Sequence, residues 1–553
     1  MVFSTMTAGS LGAALRPEHT TRSATYASDG IVASASSQAA IVGVDVLRRG
    51  GNAFDAAIAV ALVEGVTLPA SCGLGGDAFM VAYEARSGRL WAVNGSGRSP
   101  SAVTRDFFIE RGFSGMPVSG VHSVGLPGAV GAYAAVLERF GSWRFADLAQ
   151  PAIDLAERGF ALQPRLAAMI ASARPKLALD AASAATFLPG GSPPPAGHRL
   201  RRTDLGRTLR HLVEHGTDGF YRGRLAERIV EALRELGSLY KTEDFAQHET
   251  DVYEPLATSY RGYTVHQTGL PSQGLIVLEI LNLLELENLA ELDPVEALHD
   301  MIEAKKLAFA DRLAYTGDPR FVDAPVDRLI SKAFAARRRA ALDHARASEH
   351  VPGAPTEQLD GDTTSFVVVD RDGNAVSFIH SNSAGFGSGV TAGDTGILLN
   401  NRVGRGFSLV EGHPNVLAGG KRTMHTLNCY LVTRDGRPVI VGGTPGGDQQ
   451  PQWNVQSLTS LIDFGLDVQE VAEMPRWHSY PSTDPEHVGH PFVVRAEDRF
   501  PDGLLDGLRS KGHRTEKMPS IDGGAIQIIQ IDHERGVLLG GSDPRADGLA
   551  LGW

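Results

Sequence analysis

The sequence changes texture sharply at residue 363. From about Arg105 to Ser348 apolar residues recur at three- and four-residue intervals, in segments such as FADLAQPAIDLAERG, LGRTLRHLVEHG and PVEALHDMIEAKKLAFADRLAY. That is the pattern of helices with one apolar face. TSYRGYTVHQ is a strand-like exception within it, and LPGGSPPPAG (188–197) reads as a surface loop. A polar run with Pro and Gly, HVPGAPTEQLDGD (350–362), follows and reads as an exposed connection. Directly after it come TTSFVVVD, the turn Arg371-Asp372-Gly373-Asn374, and AVSFIH. This is a hairpin, with Asp-Gly expected to supply the positive φ angles of a tight turn.

The opening of the chain is also mixed helix and strand. IVASAS is β-like, and Ala40, Val44, Leu47, Ala53, Ala57, Val60 and Val63 mark two helices broken at Gly50-Gly51, the second capped by Asn52. Ala78 to Tyr83 and Leu90 to Val93 form a predicted hairpin. Past residue 363, strands are expected at Asn428 to Thr433, Pro438 to Gly442, AIQIIQI and VLLGG, with helices at Trp453 to Phe464 and Val468 to Met474. No repeat of fixed period occurs.

Charge narrows the partners. Across 553 residues, 52 Lys+Arg stand against 64 Asp+Glu, a formal net charge of −12, which argues against nucleic acid or an anionic membrane. Only Cys72 and Cys429 occur, too few for a disulfide framework, so a reducing, cytoplasmic setting is expected. The first residues lack the charged start and continuous apolar run of a signal peptide. No window approaches the ~18 uninterrupted apolar residues of a spanning helix.

The motifs exclude more than they name. No GxGxxG or GxxxxGK[ST] phosphate loop, no HExxH pair, no Cys/His cluster and no GxSxG elbow is present. GGTPGGD (442–448) follows a strand, and its consecutive glycines can aim backbone N–H groups at a developing oxyanion. Thr363 admits two readings. Threonine in a strand is ordinarily a β-branched residue that suits the pleat. If the Asp362–Thr363 bond is cut, however, Thr363 gains an α-amine of pKa about 7.7–8.0, a general base beside its own hydroxyl.

GGNAFDAAIA (50–59), GLGGDAF (73–79), TTSFVVVDRDGNAVS (363–377), FGSGV with TGILLNN to Asn401, GGTPGGD, and SDPRADGLALG (542–552) together resemble the γ-glutamyltranspeptidase superfamily of N-terminal-nucleophile hydrolases. The resemblance implies an α+β fold, an αββα sandwich of two stacked, mostly antiparallel sheets flanked by helices. It also implies one precursor that cuts itself into a large subunit (1–362) and a small one (363–553) sharing that core. Asp362 and Thr363 would flank the cleavage site. Thr363 would be the nucleophile, Ser381 the hydroxyl that hydrogen-bonds it, and Gly446 and Gly447 the oxyanion donors. Neither cofactor nor metal is needed for that chemistry.

Three glutamyl-specific features differ. The acidic pair that holds the glutamyl α-amine is replaced by Arg402-Val403-Gly404-Arg405 after Asn400-Asn401, and a cation cannot take that role. The family's adjacent serines correspond to His425-Thr426. Its carboxylate-clamping arginine falls near Ser96, with Arg98 two residues on. These changes resemble the subgroup containing oxamate amidohydrolase, and Arg402, Arg98, His425 and Thr426 become candidate substrate contacts. The expected activity is hydrolysis of a small carboxylate-bearing amide. The alternatives are a γ-glutamyltransferase or glutathione hydrolase, a glutaryl (cephalosporin) acylase, and an uncut, non-enzymatic relative. Expected partners are the small-molecule amide and the two subunits, with a higher oligomer left open.

Overall fold

A computed structural model describes residues 9–348, 361–481 and 491–553. The hairpin at the texture change sits in the middle of a seven-stranded antiparallel sheet. Gly361–Val369 pairs with Ile31–Ser34 on one side and with Ala375–Ala384 on the other. Ala375–Ala384 pairs in turn with Asp77–Glu84, and Arg89–Gly95, Asp251–Tyr253 and Leu549–Gly552 complete the sheet. A second antiparallel sheet of seven strands runs in the order Thr25–Ala27, Val537–Ser542, Gln527–Asp532, Arg437–Gly443, Cys429–Arg434, Tyr263–Gln267, Leu256–Tyr260.

The period of two along the hairpin explains the layering. Val367 and Val369 point to one face and join Phe79, Val81, Ile379, Leu431, Val441 and Ile529 in an apolar layer between the two sheets. Phe366 and Val368 point to the other and pack with Ala57, Val60 and Val63 of the helix Ala53–Thr67. A strand buried on both faces reads as a continuous apolar run, as FVVV does. Helices Gly274–Leu284, Pro294–Tyr315 and Gln450–Ile462 cover the outer face of the second sheet. The result is helix, sheet, sheet, helix, as expected. A small three-stranded sheet, Trp477–Tyr480, Val493–Glu497 and Arg514–Met518, lies beside it.

Most elements fall where periodicity places them. Asn52 caps Ala53–Thr67 in a reciprocal box with Asp55. Two expectations change. Most of the connection 350–362 lies outside the described residues, and its last two residues belong to the strand Gly361–Val369. The turn after Val369 is also longer than an Asp-Gly hairpin turn. Val369 pairs with Ala375, so residues 370–374 form the loop, and Gly373 alone in it has positive φ (88°). Asp370 sets this shape, since its carboxylate accepts from the Asp372 and Asn374 N–H groups, from Asn374 Nδ2 and from the Ala53 N–H. The tight turn occurs instead at Asp435-Gly436 (φ 51° and 75°).

Asp370 thereby ties the central hairpin to the start of a buried helix. Asp370→Ala strands the buried Ala53 N–H, at about 1–3 kcal/mol, and frees three part-buried donors of the turn. It is expected to lower the melting temperature of a Thr363→Ala chain by several degrees, with Asp370→Asn intermediate; an unchanged melt would refute this role.

Candidate active site

Thr363 lies in an unbroken strand with Asp362 before it, so the structure is that of the uncut chain. Asp362 pairs with Ser383 and Thr364 with His380, so the register shifts by one between them. Two residues, Ser381 and Asn382, therefore stand opposite Thr363. This is a β-bulge, a device that re-aims a side chain, and Ser383 after it has φ 83°.

The bulge aims Ser381 at the bond between Asp362 and Thr363. Ser381 Oγ donates to the Asp362 carbonyl (2.8 Å), accepts from the Ser383 N–H (2.7 Å) and lies 3.0 Å from Thr363 Oγ1. Its single hydrogen is engaged by the carbonyl, so in the last contact Thr363 donates. The Thr363 hydroxyl proton therefore points at Ser381, and its lone pairs are turned elsewhere. Both residues are buried.

Ser381 is in register with Asp77 on the next strand, and cross-strand partners share a face. Asp77 accepts from the Gly97 N–H at 2.9 Å and from His425 Nε2 at 3.0 Å, while Arg402 Nε lies 3.6 Å away. Burial pushes the Asp77 carboxyl up, but His425, Arg402 and Gly97 outweigh it and hold the group below its ordinary value. Burial, with the Arg402 charge, lowers His425 to about 4, so the imidazole is neutral at neutral pH. Its Nδ1 accepts from the Leu427 N–H at 3.4 Å, which leaves Nε2–H as the donor to Asp77. With both nitrogens engaged, His425 orients Asp77. Arg402 Nη1 reaches Thr426 Oγ1 at 3.3 Å.

The loop carrying Gly446 and Gly447 is joined to this group by Gln273. Its Nε2 donates to the carbonyls of Thr426 and Gly447, and those two acceptors fix which end of the amide faces them. Gly446 has φ 134°, and a Cβ there would fall 2.2 Å from the Trp453 ring, so only glycine fits. Asp448 is held from below by the buried Arg312. The strand Gly361–Val369 packs against this loop.

The structure thus brings together Asp362, Thr363 and Ser381, and separately Arg402, His425 and Thr426, with Asp77 joining the two groups and Gln273 tying Thr426 to Gly447. Arg98 is not among the contacts of Arg402, His425 or Thr426. It pairs with Glu249 at 3.5 Å and faces the charges of Arg320 and Arg422. Arg405 Nη1 donates to the Ser383 carbonyl at 3.0 Å, bracing the bulge. Sequence reading passed over Asp77 and Gln273. Asp77 stood inside the quoted GLGGDAF, and its signal was a charged residue opening a strand that is otherwise apolar.

Two buried groups among the described residues have donors spaced for a metal: Glu64, Cys72 and His380, and His299, Glu303 and His513. Each draws on distant segments, which a scan for local spacing misses. In the second, the Lys306 ammonium sits 2.7 Å from Glu303 and opposes a cation. In the first, His380 Nε2 already contacts Glu64 at 2.8 Å, and burial pushes the Cys72 thiol well up, disfavouring the thiolate a metal needs. Among the described residues no helix is long and apolar enough to cross a membrane.

Two facing antiparallel sheets between helix layers, with a threonine on a central strand of one of them, define the class of N-terminal-nucleophile hydrolases. The chain belongs to the gamma-glutamyltranspeptidase family, whose model matches residues 39–553. It is 38% identical over 512 residues to the glutathione hydrolase-like YwrD proenzyme of Bacillus subtilis, covering 92% of this chain and 95% of that one. It is 33% identical over 520 residues to the oxamate amidohydrolase proenzyme of Klebsiella pneumoniae, with the same coverage of 92% and 95%. The crystal structure of cephalosporin acylase from Bacillus halodurans superposes with a TM-score of 0.90 at 36% identity, over 97% of this chain and 98% of that one. The chain is an enzyme of this superfamily.

Burial lowers several histidines besides His425: His266 to about 4, and His248, His478 and His513 to about 3. Unfolded, each titrates near 6.5. Between these values the unfolded chain binds more protons, so stability rises with pH across the window and is lost as pH falls from about 6.5 toward 4. Melts of a Thr363→Ala chain should fall steadily from pH 7 to pH 4.5; a flat profile would contradict the neutral, buried state of these rings.

Proposed function

We propose that the protein is a self-processing N-terminal-threonine amidohydrolase acting on a small amide that carries a carboxylate and no α-amine, oxamate being the model substrate. The observation that carries this is the buried Arg402 guanidinium against Thr426 and Asp77, one strand from Ser381. Where γ-glutamyl enzymes present acids to an ammonium, this site presents a cation, and guanidinium binds carboxylate in a bidentate fork. The similarity to an oxamate amidohydrolase supports the same reading.

Processing yields subunits 1–362 and 363–553. Thr363 Oγ1 attacks the Asp362 carbonyl carbon. Its proton passes to Ser381 as the Ser381 hydrogen moves toward the carbonyl oxygen. The resulting ester is hydrolysed, which frees the Thr363 amine. In the processed enzyme that amine takes the hydroxyl proton, Oγ1 attacks the substrate amide, and Gly446 and Gly447 N–H groups receive the oxyanion. Arg402, with Thr426, holds the carboxylate, and His425 keeps Asp77 aligned beneath it. Arg98, paired with Glu249, has the weaker claim to a substrate contact. A glutaryl acylase is the second reading, favoured by the likeness to cephalosporin acylase and by the fact that Arg402 suits a glutaryl carboxylate equally well.

Ammonia release from oxamate, and aniline release from γ-glutamyl and glutaryl anilides, compare these readings directly. Oxamate is expected to turn over, the γ-glutamyl anilide not, and Thr363→Ala neither to cut nor to react. Turnover of the γ-glutamyl anilide alone would overturn the substrate assignment; turnover of the glutaryl anilide alone would select the acylase. Arg402→Ala should raise KM for oxamate about 10- to 100-fold, the equivalent of about 1.5–3 kcal/mol. Ser381→Ala should slow self-cleavage by about 10²- to 10³-fold, as loss of an oxyanion donor does.

A further inference from the structure

The self-cleavage just proposed needs a group the relay does not supply, a proton donor for the nitrogen that leaves. Attack by Thr363 Oγ1 builds a tetrahedral carbon at residue 362, and that centre collapses productively only if the Thr363 nitrogen departs as an amine. An amide nitrogen is a poor leaving group without a proton, and the Ser381 hydroxyl beside the bond donates to the carbonyl oxygen.

The side chain of Asp362 itself is placed for this. Its Oδ1 accepts from Ser71 Oγ at 2.8 Å. Oδ2 is closed off from solvent and has no hydrogen-bond partner among the described residues. A buried carboxylate oxygen without a donor is costly, whereas a protonated carboxyl turns the same oxygen into a donor. The Thr363 N–H lies near enough to this carboxyl to influence its charge.

The charged groups around it come from several elements. Lys176, on the short helix Arg174–Leu177, donates to the Gly385 and Gly387 carbonyls at 2.9 and 3.2 Å, and Arg165 lies on the helix Pro164–Ser172. Both cations favour the carboxylate, as do Ser71 and the Thr363 N–H; Cys72, on the same side, is a neutral thiol. Burial outweighs them and raises the carboxyl above its ordinary value.

We propose that the Asp362 carboxyl is the general acid of self-cleavage, giving its Oδ2 proton to the Thr363 nitrogen as the C–N bond breaks. The bond formed is Thr363 Oγ1 to the Asp362 carbonyl carbon, and the bond broken is that carbon to the Thr363 nitrogen. The hydroxyl proton, carried through Ser381 to the carbonyl oxygen, returns from the tetrahedral centre to the Asp362 carboxylate. Net, one proton has moved from oxygen to nitrogen, with no outside reagent. Water then cleaves the ester, leaving the Asp362 α-carboxylate and a free Thr363 amine.

This inference rests on the self-processing reading, and one experiment separates their failures. Full-length precursor is made by cell-free synthesis, and conversion to two chains is followed by intact mass from pH 5 to pH 9, with and without hydroxylamine to trap the ester. Wild type should cut fastest at the acidic end and slow as pH rises through the raised carboxyl value. Asp362→Asn, nearly isosteric but without an acidic proton, should cut at least about tenfold more slowly at the acidic end of the range and lose that acidic limb, with hydroxylamine unable to restore the rate. Asp362→Glu should keep a similar profile at reduced rate, which a merely structural role would not. Melting curves for the same substitutions on a Thr363→Ala background show whether each variant is folded. A wild-type chain that never cuts sinks the self-processing reading. A chain that cuts with Asp362→Asn matching wild type in rate and pH profile, or with a wild-type rate that only rises with pH, overturns the role of Asp362 alone.

Discussion

The hydrogen bond from Ser381 Oγ to the Asp362 carbonyl is the contact on which the rest of the site turns. It fixes the only hydrogen Ser381 has, and so determines that Thr363 must donate to Ser381 and cannot accept from it. It exists because the strand Ala375–Ala384 carries one residue more than its partner opposite Thr363. In a regular ladder, successive side chains alternate between faces and a single residue stands opposite each partner. The extra residue lets one hydroxyl meet a neighbouring hydroxyl and the carbonyl of the preceding residue at once. Arg405 and Asn401 brace the bulge through the Ser383 carbonyl and the Ala384 N–H, so the segment expected to select the substrate also holds the geometry around the Asp362–Thr363 bond.

The apolar layers make this precision affordable. Val367, Val369, Phe366 and Val368 bury both faces of the central strand, and the stack of Phe366 on Phe378 continues that burial across the hairpin. A strand so enclosed cannot slip by one residue without turning its Val367 and Val369 face toward the helices. Register is therefore fixed by packing, and the polar end at Thr363, Ser381 and Asp77 inherits that rigidity. Asp77 shows the same economy. It neighbours Ser381 in the sheet and holds His425 and Arg402 from the other side, so a single carboxylate links the hydroxyl beside Thr363 to the buried guanidinium.

How much of this was legible in the sequence depends on whether the information was local. TTSFVVVD announced a strand, Asn52 announced a cap, and GGTPGGD announced a glycine loop after a strand, because each is a statement about neighbouring residues. The bulge was not legible, since HSNSA carries no mark of an extra residue; the mismatch exists only against the partner strand. The Asp372-Gly373 turn was misjudged because Asp370 recruits four donors, one of them on a helix more than three hundred residues earlier. Asp77, Gln273 and the surroundings of Arg98 were likewise matters of tertiary pairing. Resemblance to a family supplied Ser381 and Arg402, and the structure supplied what each of them touches.

The uncut chain also bears on how one hydroxyl would serve the two reactions of the proposed function. Before cleavage the Thr363 nitrogen is an amide and cannot act as a base, so proton movement has to run through Ser381 and toward the carbonyl. On the proposed reading, cleavage removes Asp362 from the contact and exposes an amine of near-neutral pKa at the position the amide held. The base is then the nucleophile's own nitrogen, and the hydrogen of Ser381, no longer engaged by the Asp362 carbonyl, is released to donate to Thr363 Oγ1 or to the incoming acyl group. On that reading the direction of the Thr363–Ser381 hydrogen bond differs between precursor and enzyme, with little movement of the heavy atoms required. A serine suits this reversal because its hydroxyl both donates and accepts, whereas alanine could do neither and a carboxylate could only accept.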